Sequence, residues 1–184
     1  MHTPSPQAPA QPTPSALRAD EPRQLLRMAL GQSMYAIEID RVREILKVAS
    51  LTELPLMPPF MRGVMNLRGA VVPVIDLAAR LGLGSTTLER RTCIVVLEAQ
   101  SADDHGQEQR LGVLVDAVYE VLDVPPAGLE AVPAFGTPVA VHHLKGIARA
   151  GGQMVPVLDC ERVLELDELA GLVATHAASL ERTH

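Results

Sequence analysis

Aromatic residues make up 2% of this 184-residue chain: Tyr35, Tyr119, Phe60 and Phe135 are the full set, and Trp is absent. Four scattered rings give no platform on which bases could stack, and a net charge of −6 gives no basic footprint for phosphates, so nucleic acid is excluded as a partner. Long apolar runs are missing as well. Stretches such as Ala70–Ile75 and Cys93–Leu97 fall far short of the roughly 18–20 residues that span a bilayer. The two cysteines, Cys93 and Cys160, lie in apolar runs with no CxxC or Cys/His spacing, which predicts buried free thiols rather than a disulfide or a metal site. No basic start followed by an uninterrupted apolar stretch marks a secretory signal, so the expected location is the cytoplasm. What remains is aliphatic. Hydrophobic residues reach 47% and charged residues 21%, a globular composition whose core must be built from Val, Ile, Leu and Met.

The length allows one domain or two small ones. Residues 1–22 carry six of the 15 prolines and no glycine. Repeated Pro removes amide donors, and large apolar side chains are too few to repay ordering, so this segment is expected to be a disordered spacer, or alternatively an extended docking arm. A folded domain is expected over residues 23–166, followed by a C-terminal helix or tail over 167–184. Val163, Leu164, Leu169, Leu172, Val173, Ala177 and Leu180 recur near the 3.6 period, so that helix begins near Glu161 and presents an apolar stripe that must cover its own core or a partner.

Between the ends, short runs rich in Val, Ile and Leu predict strands over Gln24–Leu30, Tyr35–Ile39, Glu44–Val48, Val71–Ile75, Arg91–Leu97, Leu111–Val115, Glu120–Val124 and Met154–Leu158. The segment Tyr35–Val48 aligns without a gap on Leu111–Val124: Asp40/Asp116, Val42/Val118, Glu44/Glu120, Leu46/Leu122 and Val48/Val124 are identical, and three further pairs exchange Ile for Val. A second block, Gly63–Leu77, repeats as Gly146–Cys160 around a shared Val-Pro-Val-(Ile/Leu)-Asp string. Two homologous β units follow, each with a hairpin, a connection and a second hairpin, which suits small barrels rather than a sandwich. Pro73 and Pro156 cannot donate to a ladder and should lie on an edge or beside a bulge.

Catalytic chemistry finds little support. One Asp per copy invites comparison with a shared-proton carboxylate pair, but Asp76 is followed by Leu77-Ala78 and Asp159 by Cys160-Glu161, without the small hydroxyl residue and Gly that such sites need. Each is expected to cap the helical segment after it. His142 and His143 diverge as i,i+1 side chains and read as loop residues. No phosphate loop, nucleophile elbow or zinc-binding helix is present. The chain should therefore act by binding, without enzymatic activity, metal or cofactor.

The run Met61–Leu77 (MRGVMNLRGAVVPVIDL), with YAIEIDRVREIL before it and GVLVDAVYEVLDV after it, closely resembles the CheW-like domain of bacterial chemotaxis coupling proteins over about Gln24–Leu166. The resemblance implies a mainly β fold of two intertwined, five-stranded, SH3-like barrels with a C-terminal helix. It also implies a stand-alone, non-catalytic adaptor that links chemoreceptors to the regulatory domain of a CheA-type histidine kinase, recruited to membrane-associated receptor arrays without inserting into the membrane. The output is left open between swimming, pilus-based motility and surface sensing, and a self-associating scaffold is a further alternative. Carried over residue by residue, the receptor-binding positions are Val42, Glu44, Arg68 and Val121, around a groove between the barrels. Arg68 stands out because the second copy has Gly151 there, so the shared fold does not require the charge. Glu44 recurs as Glu120, which fits a structural role as well as a contact.

Overall fold

A computed structural model describes residues 22–48, 50–100, 108–133 and 139–164. The Pro-rich segment, apart from Pro22, and the C-terminal helix beyond its first turn lie outside the described residues. The chain opens with a hairpin, β1 (Arg23–Leu30) and β2 (Ser33–Glu38), passes a 3₁₀ turn at Ile39–Arg41, and continues through β3 (Val42–Lys47), β4 (Met61–Leu67), β5 (Ala70–Asp76) and a short helix α1 (Leu77–Arg80). The second unit repeats this order as β6 (Cys93–Gln100), β7 (Glu108–Val115), β8 (Ala117–Val124), a two-residue β9 (Leu129–Glu130), β10 (Leu144–Ala150), β11 (Gln153–Leu158) and α2 (Cys160–Leu164).

The strands form a six-stranded sheet, β8-β1-β2-β11-β10-β9, and a five-stranded sheet, β3-β6-β7-β5-β4. In each, the first hairpin of one unit is inserted between strands of the other. The β1–β2 hairpin pairs with β8 and β11, and β6–β7 pairs with β3 and β5. Neither barrel is complete without the other unit. The expected barrels hold, with β9 adding a sixth strand to one sheet. Strands β4 and β10 escape a propensity reading because MRGVMNL and LKGIARA are poor in β-branched residues, and they become strands through pairing with β5 and β11.

Closure depends on two glycines. Thr52 bridges to Val64 on β4, and there a Cβ on Gly63 would sit 2.4 Å from the Thr52 carbonyl oxygen. In the other barrel a Cβ on Gly146 would sit 2.8 Å from the Glu130 oxygen of β9. Arg62-Gly63 and Lys145-Gly146, equivalent dipeptides at the start of the second repeated block, thus mark where each strand passes its neighbour too closely for a side chain. Pro73 and Pro156 are not on edge strands. Each lies beside a bulge and just ahead of the parallel ladder, which begins at Val74 and Val157, so no partner strand needs the missing N–H.

Three apolar clusters result. Val72, Val74, Ile94, Val96 and Leu114 fill one barrel, and Leu25, Ala36, Val155 and Val157 fill the other. The largest lies between them. Leu26, Met28, Tyr35 and Ile37 from one exchanged hairpin meet Val95, Leu97, Val113 and Val115 from the other, and Val163 and Leu164 of α2 cap the cluster. Asp76, fully buried, caps α1 through Oδ1 to the Ala79 amide at 3.3 Å. It also accepts from the Thr86 amide (2.7 Å) and hydroxyl (2.8 Å), with Arg62 3.7 Å away. Asp159 caps α2 in the same way at the Arg162 amide, so both repeated aspartates serve local structure as expected. Cys93 and Cys160 are free thiols, both only partly buried rather than fully buried as expected; desolvation raises both pKa values, that of Cys160 to about 12.

Replacing Asp76 with Ala removes three accepted hydrogen bonds from a buried site and should cost about 3 kcal/mol in urea unfolding, against about 1 kcal/mol for Asp159→Ala. With a thiol reagent near pH 8, Cys160 is almost wholly protonated. One thiol per native chain, Cys93, should therefore react, the second appearing only on unfolding; two equally fast native thiols would contradict this.

Candidate partner-binding site

Along the β3–β6 ladder Val42 faces Leu97 and Ile45 faces Val95, while Glu44 faces Val96 and Leu46 faces Ile94. Opposed residues share a face of the sheet. Leu97 and Val95 belong to the central core, Val96 and Ile94 to the barrel interior. Arg43 is therefore the extra residue of a bulge that turns Val42 and Ile45 outward together and leaves Glu44 on the inner face. The same device recurs on β8. Val118 faces Met28 and Val121 faces Leu26, both in the central core, with a register shift between them. Each barrel thus carries an outward apolar strip at the margin of the central core: Val42 and Ile45 on one, Val118 and Val121 on the other. The inner valine of each strip packs on the core, whereas Ile45 is 43% and Val121 44% exposed.

Arg68 and Gly69 are the two central residues of the β4–β5 turn, with φ of 52° and 87°. Both angles are positive, as a type I′ hairpin turn requires, and the equivalent turn has Gly151 and Gly152 at 58° and 78°. Asn66 supports the turn through its Oδ1, which accepts from the Gly69 amide at 2.9 Å. An arginine at the first position costs about 1 kcal/mol relative to glycine, so the charge is held there against the local preference. Its guanidinium reaches back to Glu44, Nη1 to Oε2, at 3.1 Å, with the Arg68 side chain 74% exposed and that of Glu44 only 19%. The other carboxylate oxygen of Glu44, Oε1, is buried and takes no hydrogen bond among the described residues.

Glu120, the repeat equivalent of Glu44, is exposed in the β8 bulge and pairs instead with Arg27 of β1 at 2.9 Å. Arg27 also lies over the Tyr119 ring, 5.2 Å from its centroid. A hydrogen bond from its own backbone and then the Arg27 contact hold the Glu120 carboxyl below the usual range. The repeated glutamates therefore share a position but not a partner.

The fold brings Glu44 and Arg68 into contact, sets Val42 on the outward strip of the same strand, and places Val121 on the matching strip of the other barrel. Ile45 is the residue that reading strand by strand misses. The ungapped repeat alignment pairs it with Val121, and their near-equal exposure follows from that equivalence.

The family profile described as CheW-like domain matches residues 24–168. A chemotaxis protein CheW of Klebsiella aerogenes is 31% identical over 148 residues, covering 80% of this chain and 85% of that protein. One of Treponema pallidum is 30% identical over 160 residues, with 83% and 90% covered. Protein FrzA of Myxococcus xanthus is 28% identical over 152 residues, with 82% and 90% covered. Among solved structures, the scaffolding protein TtCheW of Thermoanaerobacter tengcongensis superposes with a TM-score of 0.69 at 30% identity, covering 79% of this chain and 94% of that one.

If Arg68 is held against backbone preference, Arg68→Gly should leave stability unchanged or raise it by up to about 1 kcal/mol, while the mirror substitution Gly151→Arg should lower it by a similar amount. Urea unfolding of the two variants measures both.

Proposed function

The chain belongs to the CheW-like domain family, and from that premise we propose that it is a non-catalytic adaptor coupling a chemoreceptor to the regulatory domain of a CheA-type histidine kinase. The observation that carries the receptor half of this reading is the pair of outward strips, Val42 with Ile45 and Val118 with Val121, beside the strained, ion-paired Arg68. Strips of this kind bind by helix-in-groove contact. Half-exposed aliphatic side chains supply area, at about 25 cal/mol per Å² of apolar surface covered, and the Arg68–Glu44 pair supplies register.

Transmission needs no bond-making in the adaptor. It would hold receptor and kinase in one geometry, so that a change in either shifts the other by differential contacts. Among the described residues no helix is long and apolar enough to cross a membrane. The protein would work in the cytoplasm and reach the membrane only through its receptor. FrzA of Myxococcus xanthus, among the relatives, keeps a pathway other than CheW-named chemotaxis as the second reading of the output.

Pull-down with a receptor cytoplasmic fragment and, separately, with a kinase regulatory domain tests this. Val121→Glu and Ile45→Glu should each weaken receptor capture by tenfold or more, since a buried unpaired charge costs several kcal/mol, and Arg68→Ala by a smaller factor. Kinase capture and the melting temperature should hold. Unchanged receptor capture by all three variants would remove the site.

A further inference from the structure

The duplication creates a problem of direction. Taken together, the two strips offer the same side chains from either end: valine matches valine, Ile45 matches Val121, and Glu44 and Glu120 are each neutralised by an arginine. A rod-shaped partner lying between the strips, as proposed above, would meet almost the same apolar surface after a half-turn. Contact area alone cannot choose between the two poses.

Arg68, whose counterpart is Gly151, marks one half at the β4–β5 turn, and the next outward position along each strip distinguishes the halves a second time. Two residues beyond Ile45 on the same face stands Lys47, which faces Cys93 at the edge of the central core; two residues beyond Val121 stands Asp123, which faces Gln24. The repeat alignment makes these equivalent positions, and both residues are exposed. Among the described residues, Asp123 takes a neutral hydrogen bond from Gln24 Nε2 at 3.1 Å and no ion pair.

The depressions beyond them differ in the same sense. Asp123 borders one of about 350 Å³ that also holds Asp40, Glu38, Arg23 and Lys145. Both cations there are drawn to Glu38, Arg23 at 3.2 Å and Lys145 at 2.7 Å, and with Asp40 and Asp123 the lining holds three acidic groups against two basic ones, a net negative charge. Val48, the residue after Lys47, borders a depression of about 520 Å³ whose wall combines Leu51, Leu54, Met61 and Leu88 with Glu53 and Arg62. One end of the surface carries a net negative charge, while at the other Lys47 stands beside a depression in which Glu53 and Arg62 offset each other.

We infer that Lys47 and Asp123 set the polarity of the docked receptor segment, which must be an amphipathic helical hairpin carrying an acidic residue at its Lys47 end and a basic residue at its Asp123 end. This rests on the receptor-binding reading and adds a selection rule to it. In the reversed pose both charge contacts become repulsive, while the strip contacts stay as they were.

The test uses the full-length chain with Cys93→Ser and Met154→Cys, a nitroxide at position 154, and a receptor cytoplasmic hairpin fragment labelled on its first arm. The wild-type charge pattern should give one inter-label distance. Asp123→Lys, which ends both strips in lysine, and Lys47→Asp, which ends both in aspartate, should each give two distances, with capture weakened up to about fivefold at low salt and restored toward the wild-type level near 0.5 M salt. The double exchange Lys47→Asp/Asp123→Lys should shift the population toward the second distance. Two distances for the wild-type pattern, or one unchanged distance in every variant with capture intact, overturns the inference alone. Absence of capture by the wild-type chain overturns the receptor-binding reading beneath it as well.

Discussion

Hairpin exchange is the constraint on which the rest of this structure depends. Each barrel borrows its first two strands from the other half of the duplication, so the outward faces of β1–β2 and β6–β7 are pressed against each other and become the central core. Burying one large aliphatic side chain there contributes about 1.5–3 kcal/mol, and more such side chains meet between the barrels than inside either one. The strips beside the core owe their position to the same exchange. β3 lies against β6 and β8 against β1, so the margin of the central core is where a strand from each unit turns apolar side chains outward.

Duplication supplies geometry, and departures from it mark residues that the shared geometry does not require. The bulges on β3 and β8, the closing glycines and the capping aspartates recur in both halves, which identifies them as requirements of the fold. Arg68 against Gly151, and Lys47 against Asp123, differ between halves that fold alike. At the first of these the backbone itself would favour glycine, so the arginine is not there to serve the turn.

Much of this was legible in the chain before any fold was known. The two ungapped repeat blocks announced paired barrels, the Val-Pro-Val strings marked β5 and β11, and Arg68 stood out because its counterpart is glycine. Other features are not written locally. Strands β4 and β10 owe their conformation to hairpin partners, and which hairpin enters which barrel is a matter of long-range pairing that no window of sequence contains. The outward turn of Ile45 depends on the bulge at Arg43, a ladder defect that shifts side chains from one face to the other and defeats simple alternation. The Glu44–Arg68 contact joins a strand to a turn 24 positions along the chain, and periodicity says nothing of it.

The interlocked strands also bear on how the molecule would respond to load. Two barrels joined by a linker would part under tension by stretching that linker. Here, drawing one barrel away from the other means pulling β1–β2 out from between β8 and β11, or β6–β7 out from between β3 and β5, against whole ladders of backbone hydrogen bonds at once. The protein is in that sense a rivet rather than a hinge. A displacement imposed at one barrel would be delivered at the other nearly undiminished.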